Sequence, residues 1–577
     1  MMTARGRGRV SQLPNAHDDY DPGVSEEALT VEARIPPSLL AAVADKLALA
    51  AQQRVAERLR RADATLWGPP GTAEISNRLG WLTIAERMLG EVEELSAFAD
   101  QIRDDELRDV VLLGMGGSSL APEVFRRSTA PKPDRPLLHV LDSTDADTVR
   151  AVRERVDPKR TLFVVSSKSG GTIEPLSLLE YFWPLAGDAR NFAAITDPGS
   201  GLEALARERG FRRVFAGDPN IGGRYSALSA FGLVPAALIG IDIPALLSGA
   251  AAAWQTGVKD SSEQSPAAET AGVWLGAALS ALAQAGRDKL TFLISASLPG
   301  LGLWLEQLVA ESTGKQGTGV LPVAEEPVGA VEEYGGDRVF AYLPDVEREA
   351  PGEDRVQELA GAGHPVITIP TRGPADLGRV FMLWELAVAI VGWGLQINPF
   401  DQPNVQQAKD ATKRVLSEYE RTHELREAPD ADPAALQALL GEASPPDYVG
   451  IMGYVQPSPD FDAAVAELRS AIRAGVGSAG GKATTTFGYG PRYLHSTGQF
   501  HKGGPKTGRF LQLLHDGPRD VEIPGAPYSF TTLKNAEAIG DLDTLREVGL
   551  PAERVRLHGE DAAGALRILT ARIKEGL

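Results

Sequence analysis

The sequence predicts an α/β protein: two parallel sheets flanked by helices, with a helical N-terminal region and an extra C-terminal α/β segment. Three observations carry this. Short apolar runs that end in polar or glycine residues recur from residue 110 onward, helical stretches separate them, and a second series of the same kind follows the first. Such alternation marks βαβ units, which build a parallel sheet with helices on both faces.

Residues 1–25 are rich in Gly, Arg, Asp and Pro and read as disordered. From 36 to 100 the apolar residues recur every three or four positions, as in "SLLAAVADKLALAAQQRVAERL", so this region reads as helical. The first strand series is "VVLLG" (110–114), "LLHVLD" (137–142), "TLFVVSS" (161–167) and "NFAAIT" (191–196). The second is "LTFLIS" (290–295), "DRVFAYL" (337–343) and "PVITIP" (365–370). "REAPDADPAALQALLGEASPPD" (426–447) reads as a linker ending in a turn. Beyond it, "YVGIMGYV", "TTTFGYG", "RFLQLL" and "RVRLHG" read as strands, with helices at 460–474 and 560–575. They form either a third α/β segment or an addition to a neighbouring sheet. The expected divisions are 1–100, 101–245, 246–425 and 426–577.

Composition narrows the function. The formal charge of −19 argues against a nucleic-acid or anionic-membrane surface over the whole molecule but allows a local cationic pocket. The absence of cysteine excludes disulfides, thiolate catalysis and Cys-based metal sites. No apolar segment follows the basic N-terminus, as a secretory signal would require. The most apolar stretch, "VFMLWELAVAIVGWGL" (380–395), is short for a membrane span and contains Glu385, so it reads as a buried helix. A cytoplasmic protein is expected.

The chemistry-bearing residues cluster where strands end. Ser167, Lys168, Ser169, Gly170, Gly171 and Thr172 follow the strand at 161. Beyond the carboxyl end of a parallel strand, hydroxyls, an ammonium and the N–H groups of a helix start make an anion site. "GMGGSS" (114–119), which includes Gly117 and Ser118, repeats the design after the strand at 110. Each loop taken alone also reads as an ordinary strand–helix turn. "IGGRYSALSAFG" offers Arg224 as an anion clamp or oxyanion stabiliser. In "WLEQLVAESTGKQG", Gln307 and Glu311 are four apart and share a helix face, with Glu311 placed to act as a general base. "NPFDQPNVQQAKDATK" carries Lys409 on a helix, and "FGYGPRYLHSTGQFHKGGPKTG" carries His495 and His501 in a Gly-rich loop. No metal-ligand spacing appears, and no metal or cofactor is inferred.

Five of these pieces, "GMGGSSLAP", "SSKSGGTIEP", "GGRYSALSAFG", "QLVAESTGK" and "NPFDQPNVQQAK", together resemble the phosphoglucose isomerase family in content and order. The tail "GYGPRYLHSTGQFHKGGP" is similar to the isomerase half of fused transaldolase–isomerase proteins. The resemblance implies two sugar-isomerase domains, a homodimer, a sugar-phosphate substrate, no cofactor, and interconversion of glucose 6-phosphate and fructose 6-phosphate through an enediolate. It further implies that Gly117, Ser118, Ser167, Lys168, Ser169 and Thr172 hold the phosphate. Gln307 would touch substrate, Glu311 would shuttle the proton, Arg224 would stabilise the charged intermediate and Lys409 would assist ring opening. The family also uses a ring-opening histidine, which can come from a partner subunit. In many relatives the "LHSxGQ"-like segment precedes the "DQP" motif; here "LHSTGQ" follows it by many residues. His495 is the favoured equivalent and His501 the alternative. Competing readings are a non-catalytic sugar-phosphate sensor and an isomerase that also accepts mannose 6-phosphate. An oxidoreductase is disfavoured because the dinucleotide fingerprint is incomplete.

Overall fold

The computed structural model describes residues 30–258, 271–348, 352–475 and 481–576, so the expected disorder over 1–25 lies outside the described residues. The strands in chain order are β1 (Glu32–Arg34), β2 (Asp109–Gly114), β3 (Leu137–Leu141), β4 (Thr161–Ser166), β5 (Phe192–Thr196) and β6 (Arg213–Ala216). There follow β7 (Lys289–Ile294), β8 (Leu321–Val323), β9 (Arg338–Leu343) and β10 (Val366–Thr368). The last four are β11 (Tyr448–Tyr454), β12 (Thr484–Tyr489), β13 (Gly508–Leu514) and β14 (Ala552–Arg556).

They form three sheets, ordered β3-β2-β4-β5-β6, β1-β10-β9-β7-β8 and β12-β11-β13-β14. Every pairing among these strands is parallel except β1 with β10. Central strands such as β4 and β9 are buried along their whole length, which is why they read as continuous apolar runs. In the first sheet the chain passes from β2 to β3 on one side and to β4 on the other, so its switch point lies between β2 and β4. Ligands of open parallel sheets bind at such a crevice.

The C-terminal segment is a separate four-stranded sheet rather than an extension of a neighbour. The expected linker at 426–447 is in part a helix, Pro433–Gly441, capped by Asp432 and burying Leu436, Leu439 and Leu440. Proline suggests a break, but at the first helical turn its missing N–H costs nothing. The N-terminal region is more than helical: β1 adds an antiparallel edge to the second sheet. β6 and β8 also lack a sequence signal. β6 is a four-residue edge strand with two exposed residues, and β8 is three residues with a central proline.

The apolar stretch is a buried helix, Leu377–Leu395, packed in the largest core. Gly276 allows this close packing, because a Cβ there would overlap the Ala387 carbonyl. Within the helix, Glu385 is fully buried and neither carboxyl oxygen has a hydrogen-bond partner. Burial pushes its pKa well above the usual carboxylate range. The folded value exceeds the unfolded one, so the group's favourable contribution is complete below the ordinary Glu range and is lost as pH rises toward the folded value. Glu385→Leu is therefore expected to raise the melting temperature, and by more at pH 8 than at pH 5. Thermal unfolding at the two pH values checks this; a gain independent of pH would contradict it.

Candidate active site

The site is built where the first two sheets meet the histidine loop. After β2 the chain turns through Gly116–Ser118. Gly117 lies against the backbone of Gly223, so tightly that a Cβ on Gly117 would overlap it. The motifs "GMGGSS" and "GGRYS" thus cross at two glycines, and the crossing requires that Gly117 carry no side chain. After β4, the loop from Ser167 leads to the helix Ile173–Ala186. Thr172 occupies the cap position but makes no side-chain cap bond; Ser167 Oγ donates to Thr172 Oγ1 at 3.1 Å instead. Ser169 Oγ accepts from Gly171 N at 3.4 Å. Lys168 is ion-paired with Asp197 and donates to the Asp218 carbonyl at 3.1 Å. The cradle's lysine is therefore partly neutralised, and its hydroxyls and helix-start N–H groups carry more of any grip on an anion.

Glu311 sits on the helix Leu301–Thr313, buried and 3.5 Å from Arg224. Gln307, one turn earlier, donates to Glu311 Oε2 at 3.3 Å and to the His495 carbonyl at 2.7 Å. Burial pushes the Glu311 pKa up, and the charges of Arg224, His495 and Lys315 offset this only in part. Arg224 is almost wholly buried. Its Nε donates to Ser312 at 2.8 Å, while its terminal nitrogens donate to Gln402 Oε1 at 3.0 Å and to the carbonyls of Pro399 at 2.6 Å and Asp401 at 2.9 Å. Arg224 thus holds the 399–402 turn against the glutamate helix as well as placing charge beside Glu311.

His495 comes from the C-terminal segment of the same chain. Its carbonyl and Cβ lie against Gly116, whose positive φ and missing side chain allow the approach. Its Nε2 is 2.7 Å from Glu174 Oε1. Burial alone raises the Glu174 pKa, but His495 and the positive charge of Lys409 outweigh it and leave the carboxylate below its ordinary value. Lys409, on the helix Pro403–Thr422, is thereby brought to the same locus. His501 is not. It is buried with both ring nitrogens unpartnered, its ring 4.8 Å from Phe510, and its pKa is pushed down to about 3 by burial and by Lys502.

Two residues of the site went unread in the sequence. Glu174 lies in the first turn of its helix, an ordinary place for an acid. Lys315, inside the "ESTGK" motif, donates to the carbonyls of Asn398 and Asp401 at 2.6 Å each and pairs with the Asp401 carboxylate at 2.7 Å. Burial, then the neighbouring Arg224, lowers its pKa to about 7.

A family profile described as "Phosphoglucose isomerase" matches residues 86–332. The glucose-6-phosphate isomerase of Synechococcus sp. (strain JA-3-3Ab) is 31% identical over 56% of this chain and 70% of its own. That of Rubrobacter xylanophilus is 30% identical over 62% of this chain and 92% of its own. The chain belongs to the phosphoglucose isomerase family. Among solved structures, a hypothetical protein of Thermus thermophilus superposes with a TM-score of 0.54 at 25% identity, over 67% of this chain and 100% of that one. A glucose-6-phosphate isomerase of Chlamydia trachomatis superposes with a TM-score of 0.57 at 18% identity, over 68% and 91%. The fold is thus the sugar-isomerase α/β fold. The family profile ends before Lys409 and His495, so the placement of His495 rests on the contacts described above and that of Lys409 on its charge acting on Glu174.

The crossing of the two glycine motifs is open to test. Gly117→Ala should weaken fructose 6-phosphate binding by about tenfold or more, equivalent to ~1.4 kcal/mol. Gly222→Ala, where a Cβ meets nothing within 4 Å, should leave it unchanged. Calorimetric titration of both variants checks the contrast.

Proposed function

We propose that this chain interconverts glucose 6-phosphate and fructose 6-phosphate, an aldose–ketose isomerisation belonging to glycolysis and gluconeogenesis. The observation that carries the reading is the convergence of Glu311, Arg224, Gln307 and His495, from three separate parts of the chain, with His495 bonded to Glu174, two residues after the hydroxyl-lined loop at 167–172.

The chemistry follows from these positions. The loop at 167–172, with Gly117 and Ser118, anchors the phosphate end, so that binding energy fixes the orientation of the reacting carbons. His495, its Nε2 engaged by Glu174, presents Nδ1 to the ring oxygen, with Lys409 nearby, and the ring opens. Glu311 takes the proton from C2. The electron pair moves into the C1–C2 double bond and charge develops on the carbonyl oxygen, where Arg224 offsets it. The intermediate is planar and its two carbons are adjacent, so the same carboxyl returns the proton to C1, while the O2 hydroxyl proton passes to O1 and C2 becomes the carbonyl carbon. A buried glutamate with a raised pKa is a stronger base than an ordinary one, and proton abstraction next to a carbonyl needs that. The buried Gln307 Oε1, which has no protein partner, is available to a substrate hydroxyl.

Glu311→Gln should retain fructose 6-phosphate binding and lose isomerisation by about 10²–10⁴-fold, the usual worth of a positioned base. A coupled assay detecting glucose 6-phosphate checks this. In the unsubstituted protein the acid limb of kcat/KM should lie above the ordinary glutamate range, because the raised Glu311 must be ionised to act.

We further place the protein in the cytoplasm as a homodimer, with each site drawing its histidine from its own chain. Co-expression of Glu311→Gln and His495→Ala chains tests the latter point. If His495 acts within its own chain, mixed dimers gain no activity over the two variants alone. If it acts across the dimer, one intact site per mixed dimer restores a substantial fraction.

A further inference from the structure

The helix Phe530–Glu547 of the C-terminal segment is unusual in what it buries. Lys534, Glu537 and Asp541 are each at most 2% exposed. Their spacing of three and four puts them on one face. Lys534 pairs with Asp145 at 2.9 Å and Asp516 at 3.0 Å, and Glu537 accepts from Thr144 Oγ1 at 2.6 Å. This end of the face is therefore fastened to the loop that leaves β3 of the first sheet. At the other end, Asp541 accepts from Tyr493 Oη at 2.6 Å and from Lys502 Nζ at 2.7 Å.

Those two donors lie on either side of His495 in the sequence. Tyr493 belongs to the short turn Arg492–His495 and Lys502 to the following helix Gly498–Gly503. All three groups are buried, so no solvent competes for the carboxylate, and its two charge-assisted bonds fix both arms of the loop. From the second arm, Gln499 donates to the Gly314 carbonyl at 2.9 Å and to Asn404 at 2.8 Å, so the loop is also registered on the helices that carry Glu311 and Lys409. Asp541 touches neither the phosphate loop nor Glu311.

We propose that Asp541 is a positioning residue for ring opening: it holds the His495 loop in register with the ring oxygen and does not contact substrate. The inference rests on the isomerase reading. Its consequence is selective. A loosened loop should slow the step that needs the histidine and spare the proton transfer that needs Glu311. A displacement of ~1 Å is enough to cost a large factor in rate.

The test compares fructose 6-phosphate with its 5-deoxy analogue, which lacks the C5 hydroxyl needed to close a ring and so bypasses ring opening. Asp541→Asn keeps the side-chain shape. It should lower kcat on fructose 6-phosphate by about tenfold or more, with KM within about twofold, and leave turnover of the acyclic analogue near that of the unsubstituted protein. Tyr493→Phe removes one hydroxyl only and should show the same split to a smaller degree, which covers a failure of the asparagine variant to fold. Equal losses on both substrates, no loss on either, or an acyclic analogue that the unsubstituted protein does not turn over would overturn the proposal. Failure of the unsubstituted protein to isomerise fructose 6-phosphate would overturn the isomerase reading instead.

Discussion

The site depends on one buried cation. A guanidinium taken out of water must find an acceptor for each of its N–H groups, and a buried ionic group stripped of its partners costs ~3–5 kcal/mol. Arg224 meets that demand with acceptors from two other parts of the chain: Ser312 and Glu311 on the glutamate helix, and Pro399, Asp401 and Gln402 in the turn before the Lys409 helix. Each contact is local, but together they hold the first sheet's exit loop, the Glu311 helix and the turn before the Lys409 helix in one arrangement. Lys315 repeats the device from the far end of the glutamate helix, gripping the same turn through the carbonyls of Asn398 and Asp401.

These two cations also act on the electrostatics of Glu311. Over the whole molecule acidic residues dominate, with a formal charge of −19, yet Arg224, Lys315, His495 and Lys409 converge here. Burial raises the Glu311 pKa, and the surrounding positive charge draws it partly back. The compromise is a carboxyl that ionises above its usual range but still ionises. Glu174 shows the opposite balance. It is also buried, but the His495 hydrogen bond and the positive charges tip it below the ordinary value, so it stays anionic and orients the imidazole. Glu385, on which desolvation acts alone, shows where a carboxyl goes when nothing offsets burial.

Much of this was legible in the chain. Strands buried on both faces, such as β2, β4 and β9, announce themselves as apolar runs, and the glycine and hydroxyl clusters after β2 and β4 mark the carboxyl edge. Gln307 and Glu311 could be placed together by helical spacing alone, and the structure joins them at 3.3 Å. What could not be read were relations between distant segments. Nothing in "RYLHSTGQF" says that His495 will face Glu174, more than three hundred positions earlier, and only the likeness of "LHSTGQ" to a family segment favours it over His501. The structure separates them by environment: one ring lies against a carboxylate, the other among aromatic side chains with no partner for either nitrogen. Edge elements were lost for a different reason. β6 and β8 are too short for a periodic pattern, and a proline helix start at 433 imitates a linker.

The late position of the histidine has a physical consequence. A side chain delivered by a loop so far along the chain reaches the site only if the loop's own unit is rigid and docked. The third sheet supplies the rigidity through its own apolar core. Docking combines apolar packing, with Phe530, Leu533, Ala536 and Ile539 in the first sheet's core, with polar contacts: Lys534 to Asp145, Glu537 to Thr144, and Arg469 to the carbonyls of Ala324 and Glu325. Hydrogen bonds are directional where apolar packing is not, so the polar contacts limit sliding of this interface. The imidazole we propose for ring opening needs that property more than it needs added stability. The buried charges on the helix Phe530–Glu547 are thus better understood as setting register than as strengthening the core, since well-packed apolar residues would serve stability at least as well.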